Sequence, residues 1–200
     1  MKKQGKQGNL RITSGKFKGR TIDWKQTLPL RPTLEKVRQA VYNMLGNDLK
    51  GIAFLDLFSG TGVHGFEALS RGAEQVVWIE QNPLSCRDIL RNAEKLNIPS
   101  SSIRVCCGHV QTVLPRLQGR VFDCIYMDPP YHKEKKTAVS EEVYACTSDL
   151  IITHQLLDRR GLLITEYAVN HPIDLPLFHL VDERKYGTVG IRLWKIKGES

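Results

Sequence analysis

From residue 52 onward, short apolar runs alternate with stretches whose apolar positions recur every three or four residues. Ala53-Phe54-Leu55-Asp56 reads as a buried strand, and Val63 to Arg71 as a helix entered through a glycine-rich loop. Gln75 to Ile79 forms the next strand and ends at Glu80. Asn82 and Pro83 then supply the N-cap and first turn of a helix carrying Cys86, Ile89, Leu90, Ala93 and Leu96 on one face. Further strands are predicted at Ile103 to Cys106 and Phe122 to Met127, the second running into Asp128-Pro129-Pro130-Tyr131. A helix within residues 140–157 precedes a strand from Leu162 to Tyr167, and two last strands, Phe178 to Tyr186 and Val189 to Trp194, flank Gly187 as a hairpin. Strand and helix in alternation imply an α/β fold, with a mostly parallel sheet, helices on its faces and an antiparallel C-terminal hairpin.

The front of the chain follows another pattern. Leu10 to Trp24 alternates around Gly15-Lys16-Phe17-Lys18-Gly19, which predicts a small basic hairpin, expected as an appendage to the main body. Thr33 is placed to cap a helix with Leu34, Val37, Ala40, Val41, Met44 and Leu45 at helical spacing, closed by Gly46, with Lys36 and Arg38 toward its polar side. Residues 1–9 are Gly, Gln and Lys rich and are expected to be a disordered basic tail. The expected division is a tail over 1–9, a basic hairpin and helix over 10–49, and an α/β domain over 50–200.

Charge sharpens this division. Residues 1–38 carry eleven Lys or Arg against two acids, Asp23 and Glu35, whereas the other 162 residues hold 18 cations against 19 acids. A neutral body with a cationic front matches a polyphosphate partner, because clustered Lys and Arg displace counterions from a nucleic-acid backbone. The composition, 41% hydrophobic and 25% charged, is that of a globular protein, and no apolar run approaches the roughly 20 residues that span a bilayer. No membrane role and a cytoplasmic, monomeric protein are expected. Five cysteines without CxxC pairs predict reduced, mostly buried thiols, and neither they nor the six histidines have the spacing of a metal site.

Three motifs carry candidate chemistry. In Asp56-Leu57-Phe58-Ser59-Gly60-Thr61-Gly62, completed by Gly65, glycines let the backbone turn at a strand end and approach a ligand closely. The spelling GxGxxG also fits a dinucleotide site, but a carboxylate at Asp56 would repel pyrophosphate. It suits the amino-acid end of a cationic sulfonium cofactor, S-adenosylmethionine. Glu80, at the next strand end, is placed to take two ribose hydroxyls, a device that nicotinamide cofactors also use. In Asp128-Pro129-Pro130-Tyr131, the Asp128 carboxylate and the Pro129 carbonyl are acceptors for the two hydrogens of a base amino group. Pro129 and Pro130 stiffen the loop, and Tyr131 offers a face on which an extruded base can stack.

Together these motifs resemble the class I, Rossmann-like methyltransferases that modify exocyclic amino groups of DNA and RNA. Leu10-Arg11-Ile12, Gly15 to Arg20, Leu30-Arg31-Pro32-Thr33 and Leu55 to Gly62 are more closely similar to the bacterial 16S ribosomal RNA guanine-N2 methyltransferases, over nearly the whole of Leu10 to Trp194. The resemblance implies a seven-stranded sheet, S-adenosylmethionine as cofactor, and N2-methylation of a guanine in 16S rRNA, on an assembled or assembling small subunit. It assigns Asp56, Phe58, Gly60, Thr61, Gly62 and Glu80 to the cofactor, and Arg11, Lys16, Lys18 and Arg20 to RNA phosphates. Arg31 and Thr33 border the cofactor or RNA, unless Thr33 is only an N-cap. The chain departs from the pattern at Cys107-Gly108-His109, where such enzymes place Asp or Asn near adenine. His109 either binds adenine or is a plain loop histidine. Three rival readings stand: an adenine-N6 methyltransferase acting on DNA, an NAD-dependent oxidoreductase, and a non-catalytic RNA-binding assembly factor.

Overall fold

The computed structural model describes residues 7–25, 35–130 and 138–198. Arg31, Thr33 and Tyr131 lie outside them. Two strands, β1 (Gln7–Arg11) and β2 (Thr21–Lys25), form an antiparallel hairpin, followed by helix α1 (Glu35–Leu45). The body then runs β3 (Ala53–Leu57), α2 (Val63–Ser70), β4 (Gln75–Glu80), α3 (Pro83–Lys95), β5 (Ile103–Cys107), α4 (Val110–Val113), β6 (Phe122–Met127), α5 (Ala138–Thr153), β7 (Leu157–Ala168), β8 (Phe178–Tyr186) and β9 (Val189–Ile196).

Seven of these strands make one sheet in the order β5-β4-β3-β6-β7-β9-β8. The first five are parallel, and β9 lies antiparallel between β7 and the edge strand β8. The expected fold class is therefore observed. Strands β3, β4 and β6 read as continuous apolar runs because both faces are covered. Phe54, Trp78 and Tyr126 enter one core with α1, α2 and α3, while Leu55, Leu57, Ile79 and Met127 enter a second with α4 and α5. The chain steps from β3 outward to β4 and β5, then returns to β6 on the other side of β3. Ligands of such sheets bind at this reversal, outside the strands' carboxyl ends.

The hairpin is no appendage. Ile12, Phe17 and Ile22 belong to the same core as Phe66, Trp78 and Ile89. Gly15 approaches α2 so closely that a Cβ would lie 1.7 Å from the Ser70 carbonyl oxygen. Lys16 N donates to that oxygen at 2.7 Å, Phe17 N donates to Ser70 Oγ at 2.9 Å, and Thr13 N to Glu67 Oε1 at 2.9 Å. Along α3, the Asn92 amide both accepts from Asp23 N (2.9 Å) and donates to Asp23 O (2.7 Å).

Other expectations are corrected. Gln7 to Asn9, assigned to the tail, are paired in β1, since β2 supplies a ladder for them. Leu90 is 45% exposed, one position off the buried stripe of Cys86, Ile89 and Ala93. Only Cys86 and Cys124 among the thiols are buried, because Cys107 and Cys146 sit at a strand end and on the outer side of α5. Strand β7 starts five residues earlier than expected, where the polar Asp158-Arg159-Arg160 hides it from a hydrophobic pattern. The Asn82 cap is as expected, its side chain accepting from Leu84 N at 2.9 Å.

Candidate active site at the carboxyl edge of the sheet

The glycine loop between β3 and α2 is held in an unusual backbone shape. Phe58, Gly60 and Gly62 all have positive φ, of 57°, 55° and 74°. For Phe58 this costs of order 1 kcal/mol, and its packing against the second core holds it there. Ser59 Oγ donates to Asp56 O (2.6 Å) and Gly62 N to Ser59 O (2.7 Å), closing the turn. Trp78 Nε1 donates to Gly62 O at 3.0 Å, and a Cβ on Gly65 would lie 2.2 Å from that nitrogen, so the loop, α2 and β4 meet with no space for a side chain.

Two acids brace the loop. Asp56, 2% exposed, accepts from Gly65 N (3.1 Å) in the first turn of α2, and burial pushes its pKa well above the ordinary carboxyl value. Glu80, 9% exposed, accepts from Gly60 N (2.8 Å) through Oε2 and from Asn82 N (2.7 Å) through Oε1. The Glu80 carbonyl takes Gly108 N at 2.9 Å, tying the end of β5 to the same point. Among the expected cofactor residues, Asp56, Phe58, Gly60, Thr61, Gly62 and Glu80 are thus brought together. His109 is exposed and precedes α4 without a side-chain capping bond.

Asp128 follows β6, immediately beside β3, and Pro129 behind it is buried while Pro130 is exposed. The basic residues stand elsewhere. Lys16, Lys18 and Arg20 surround the hairpin tip, which is bonded to the last residue of α2. The eight-residue helix puts them about 12 Å along its axis from the glycine loop, so the structure does not bring them to Asp128.

Sequence reasoning missed a buried polar layer beneath the site. Glu67, fully buried, pairs with Arg71 and lies 3.6 Å from Arg38, which is 1% exposed although it was assigned to a polar face. Arg71 stacks over the Tyr42 ring at 4.2 Å, the Tyr42 hydroxyl donates to the His64 carbonyl, and His64 stacks on Tyr126 at 3.8 Å. Burial, reinforced by both arginines, pushes the His64 pKa well below its usual value, so the ring is neutral. Tyr126 Oη donates to Glu166 Oε2 at 2.7 Å. The available signal was positional: Arg38 falls on the helical stripe of Val37 and Val41, where a charge requires a partner.

No group of three or more candidate metal ligands occurs among the described residues, nor any helix long and apolar enough to cross a membrane.

Residues 10–195 match the model of a family described as conserved hypothetical protein 95. The chain belongs to this family. It is 30% identical over 195 residues to a Bacillus subtilis protein provisionally named an rRNA methyltransferase, covering 94% of this chain and all of that one. It is 28% identical over 197 residues to the ribosomal RNA small subunit methyltransferase D of Escherichia coli, covering 96% and 94%. Among solved structures, the provisionally named Escherichia coli methyltransferase yhhF superposes with a TM-score of 0.80 at 27% identity, covering 96% of this chain and all of that one. For this member of the family, the geometry at the switch point sets which chemistry is open.

Proposed function

We propose that the protein is an S-adenosylmethionine-dependent methyltransferase acting on the N2 amino group of a guanine in small-subunit ribosomal RNA. One observation carries the reading: an acid lies within one residue of the carboxyl end of each of β4, β3 and β6 (Glu80, Asp56 and Asp128), and the glycine loop follows β3 at the reversal of strand order. This donor set fits a cationic nucleoside and disfavours pyrophosphate, because Glu80 and Asp56 already accept from the Gly60 and Gly65 amides that a dinucleotide phosphate would need. Glu80 would hold ribose hydroxyls. Asp56 and the backbone of residues 60–62 would hold the methionine portion.

When bound, S-adenosylmethionine supplies a methyl group activated by positive sulfur. The chain supplies position. A base amine is a weak nucleophile because its lone pair is delocalised into the ring. Accepting its two hydrogens at the Asp128 carboxylate and the Pro129 carbonyl localises that pair and aims it. Tyr131 would carry the extruded base. The relatives' names support rRNA of the small subunit as substrate, and the cationic hairpin supports a phosphate-rich partner.

The deciding experiment incubates the protein with labelled S-adenosylmethionine and small ribosomal subunits lacking their native methyl groups, followed by nucleoside mass spectrometry. N2-methylguanosine is expected from the wild type. Asp128→Ala should lower turnover by about 10²–10³-fold or more while cofactor affinity, measured by calorimetry, is retained. Undiminished turnover in that variant, or a methylated adenine in the digest, refutes the assignment.

A further inference from the structure

A fourth acid continues the row beyond Asp128. Strands β6 and β7 run parallel with Tyr126 beside Ile164 and Met127 beside Thr165, so the next step of the ladder brings Asp128 beside Glu166. Side chains alternate between faces, which puts Asp56, Asp128 and Glu166 on the face of Tyr126. The 2.7 Å bond from Tyr126 Oη to Glu166 Oε2 shows the Glu166 carboxylate on that face. The charges of Glu166, Asp128 and Asp56 also help to push the Tyr126 pKa well above that of a free phenol, after burial itself. Four neighbouring parallel strands therefore present carboxylates in the order Glu80, Asp56, Asp128, Glu166 along one edge. Glu166 is 7% exposed, as sheltered as the two acids at the glycine loop.

We infer that Glu166 determines base specificity by accepting the ring N1–H of guanine while Asp128 accepts from the neighbouring amino group. This rests on the proposal that Asp128 and Pro129 hold the target amine. The argument is one of donors and acceptors. Adjacent strands stand about 4.8 Å apart, so two carboxylates on neighbouring strand ends can converge on adjacent groups of one base edge. Guanine offers two kinds of donor side by side there, N1–H and the 2-amino group. Adenine offers an amino group beside a ring nitrogen with a lone pair. An ionised carboxylate only accepts, so Glu166 attracts the first arrangement and repels the second. Its bond from Tyr126 is compatible with this, because a carboxylate has about four acceptor positions. The Tyr126 hydroxyl also fixes the carboxylate before a base arrives.

The test compares small subunits reconstituted with guanosine or with 2-aminopurine riboside at the methylated position. The analogue keeps the amine at ring position 2 but has a lone pair in place of N1–H. Wild-type protein should prefer guanosine in kcat/KM by roughly 10²-fold or more. In Glu166→Gln, whose amide can donate as well as accept, the preference should fall below about 10-fold. Glu166→Asp, which keeps the acceptor, should retain it. Calorimetry with S-adenosylmethionine verifies that each variant is folded. Equal use of both bases by the wild type overturns the inference, as does a preference that Glu166→Gln leaves unchanged while slowing both substrates alike. Either failure would leave Asp128-dependent guanine methylation standing, whereas loss of that dependence would refute the underlying reading instead.

Discussion

Glu67 lies in the interior between the guanidinium groups of Arg38 and Arg71, and its carboxylate also accepts from Thr13 N and Oγ1 at 2.9 and 3.0 Å. Removing this anion takes from Arg71 its buried ion-pair partner and from Arg38 a carboxylate 3.6 Å away, both in a low-dielectric layer. Glu67→Gln is therefore expected to destabilise the fold by about 3–5 kcal/mol, read from the midpoint of urea unfolding. Gly65 has the opposite sensitivity, to added volume. Its Cα faces the Trp78 indole so closely that even a methyl group must displace the ring or α2. Gly65→Ala should cost about 1–3 kcal/mol. It should also weaken S-adenosylmethionine binding in calorimetry, since Trp78 Nε1 anchors Gly62 O in the loop. Unaltered cofactor affinity would show that the loop shape is independent of this packing.

At the level of elements, the hairpin is joined to α3 by one side chain that imitates a strand. Asn92, 1% exposed, satisfies both backbone groups of Asp23, and Lys95 adds a bond to Asp23 Oδ2 at 2.6 Å nearer the surface. Asn92→Ala strands a backbone donor and an acceptor, at about 1–3 kcal/mol. The loss should be local: faster proteolysis within residues 7–25 and weaker RNA binding, with cofactor affinity held. Strands β8 and β9 have a comparable clamp, where the Glu183 carboxylate accepts from Tyr167 Oη and from Arg192 Nε (2.7 Å). These bonds, Tyr167 first and Arg192 next, lower the Glu183 pKa from 4.5 to about 2. A lowered folded-state pKa contributes stability above the unfolded value that is lost as pH falls between about 4.5 and 2. Glu183→Gln should therefore flatten the decline of Tm across that window, by little, because the group is partly solvated. Most elements were legible in the sequence because β3, β4, β6 and α3 carry strong periodicity and, for α3, a cap. The five-residue start of β7 and the short α4 were not, since the first is polar and the second spans a single turn. In the site, the glycine loop, Glu80 and Asp128 announced themselves by motif. Arg38, His64, Tyr126 and Glu166 did not, because each acts through a neighbour distant in sequence.

For the whole molecule, the excess of cations at the front acquires a geometry that composition could not supply. Lys16, Lys18 and Arg20 are exposed at a hairpin tip locked to the far end of α2, while Asp56 and Asp128 occupy the carboxyl edge of the sheet. On the proposed placement of the base at Asp128, cations so placed stand about a helix length from it, and their expected role is to grip phosphates while the rigid mount sets the register of the base. Neutralising all three with Gln should raise KM for small subunits and leave kcat nearly unchanged once substrate saturates, because uniform binding has been lost rather than transition-state contact. The slope of log K against log salt should also shrink, by about 0.7–0.9 for each phosphate contact removed. The Arg20 change loosens one further bond, to Lys95 O at 3.2 Å, so Lys16→Gln with Lys18→Gln is the cleaner pair. If that pair lowers kcat with an unchanged salt slope, the hairpin tip serves folding or catalysis, and the RNA is steered by another surface.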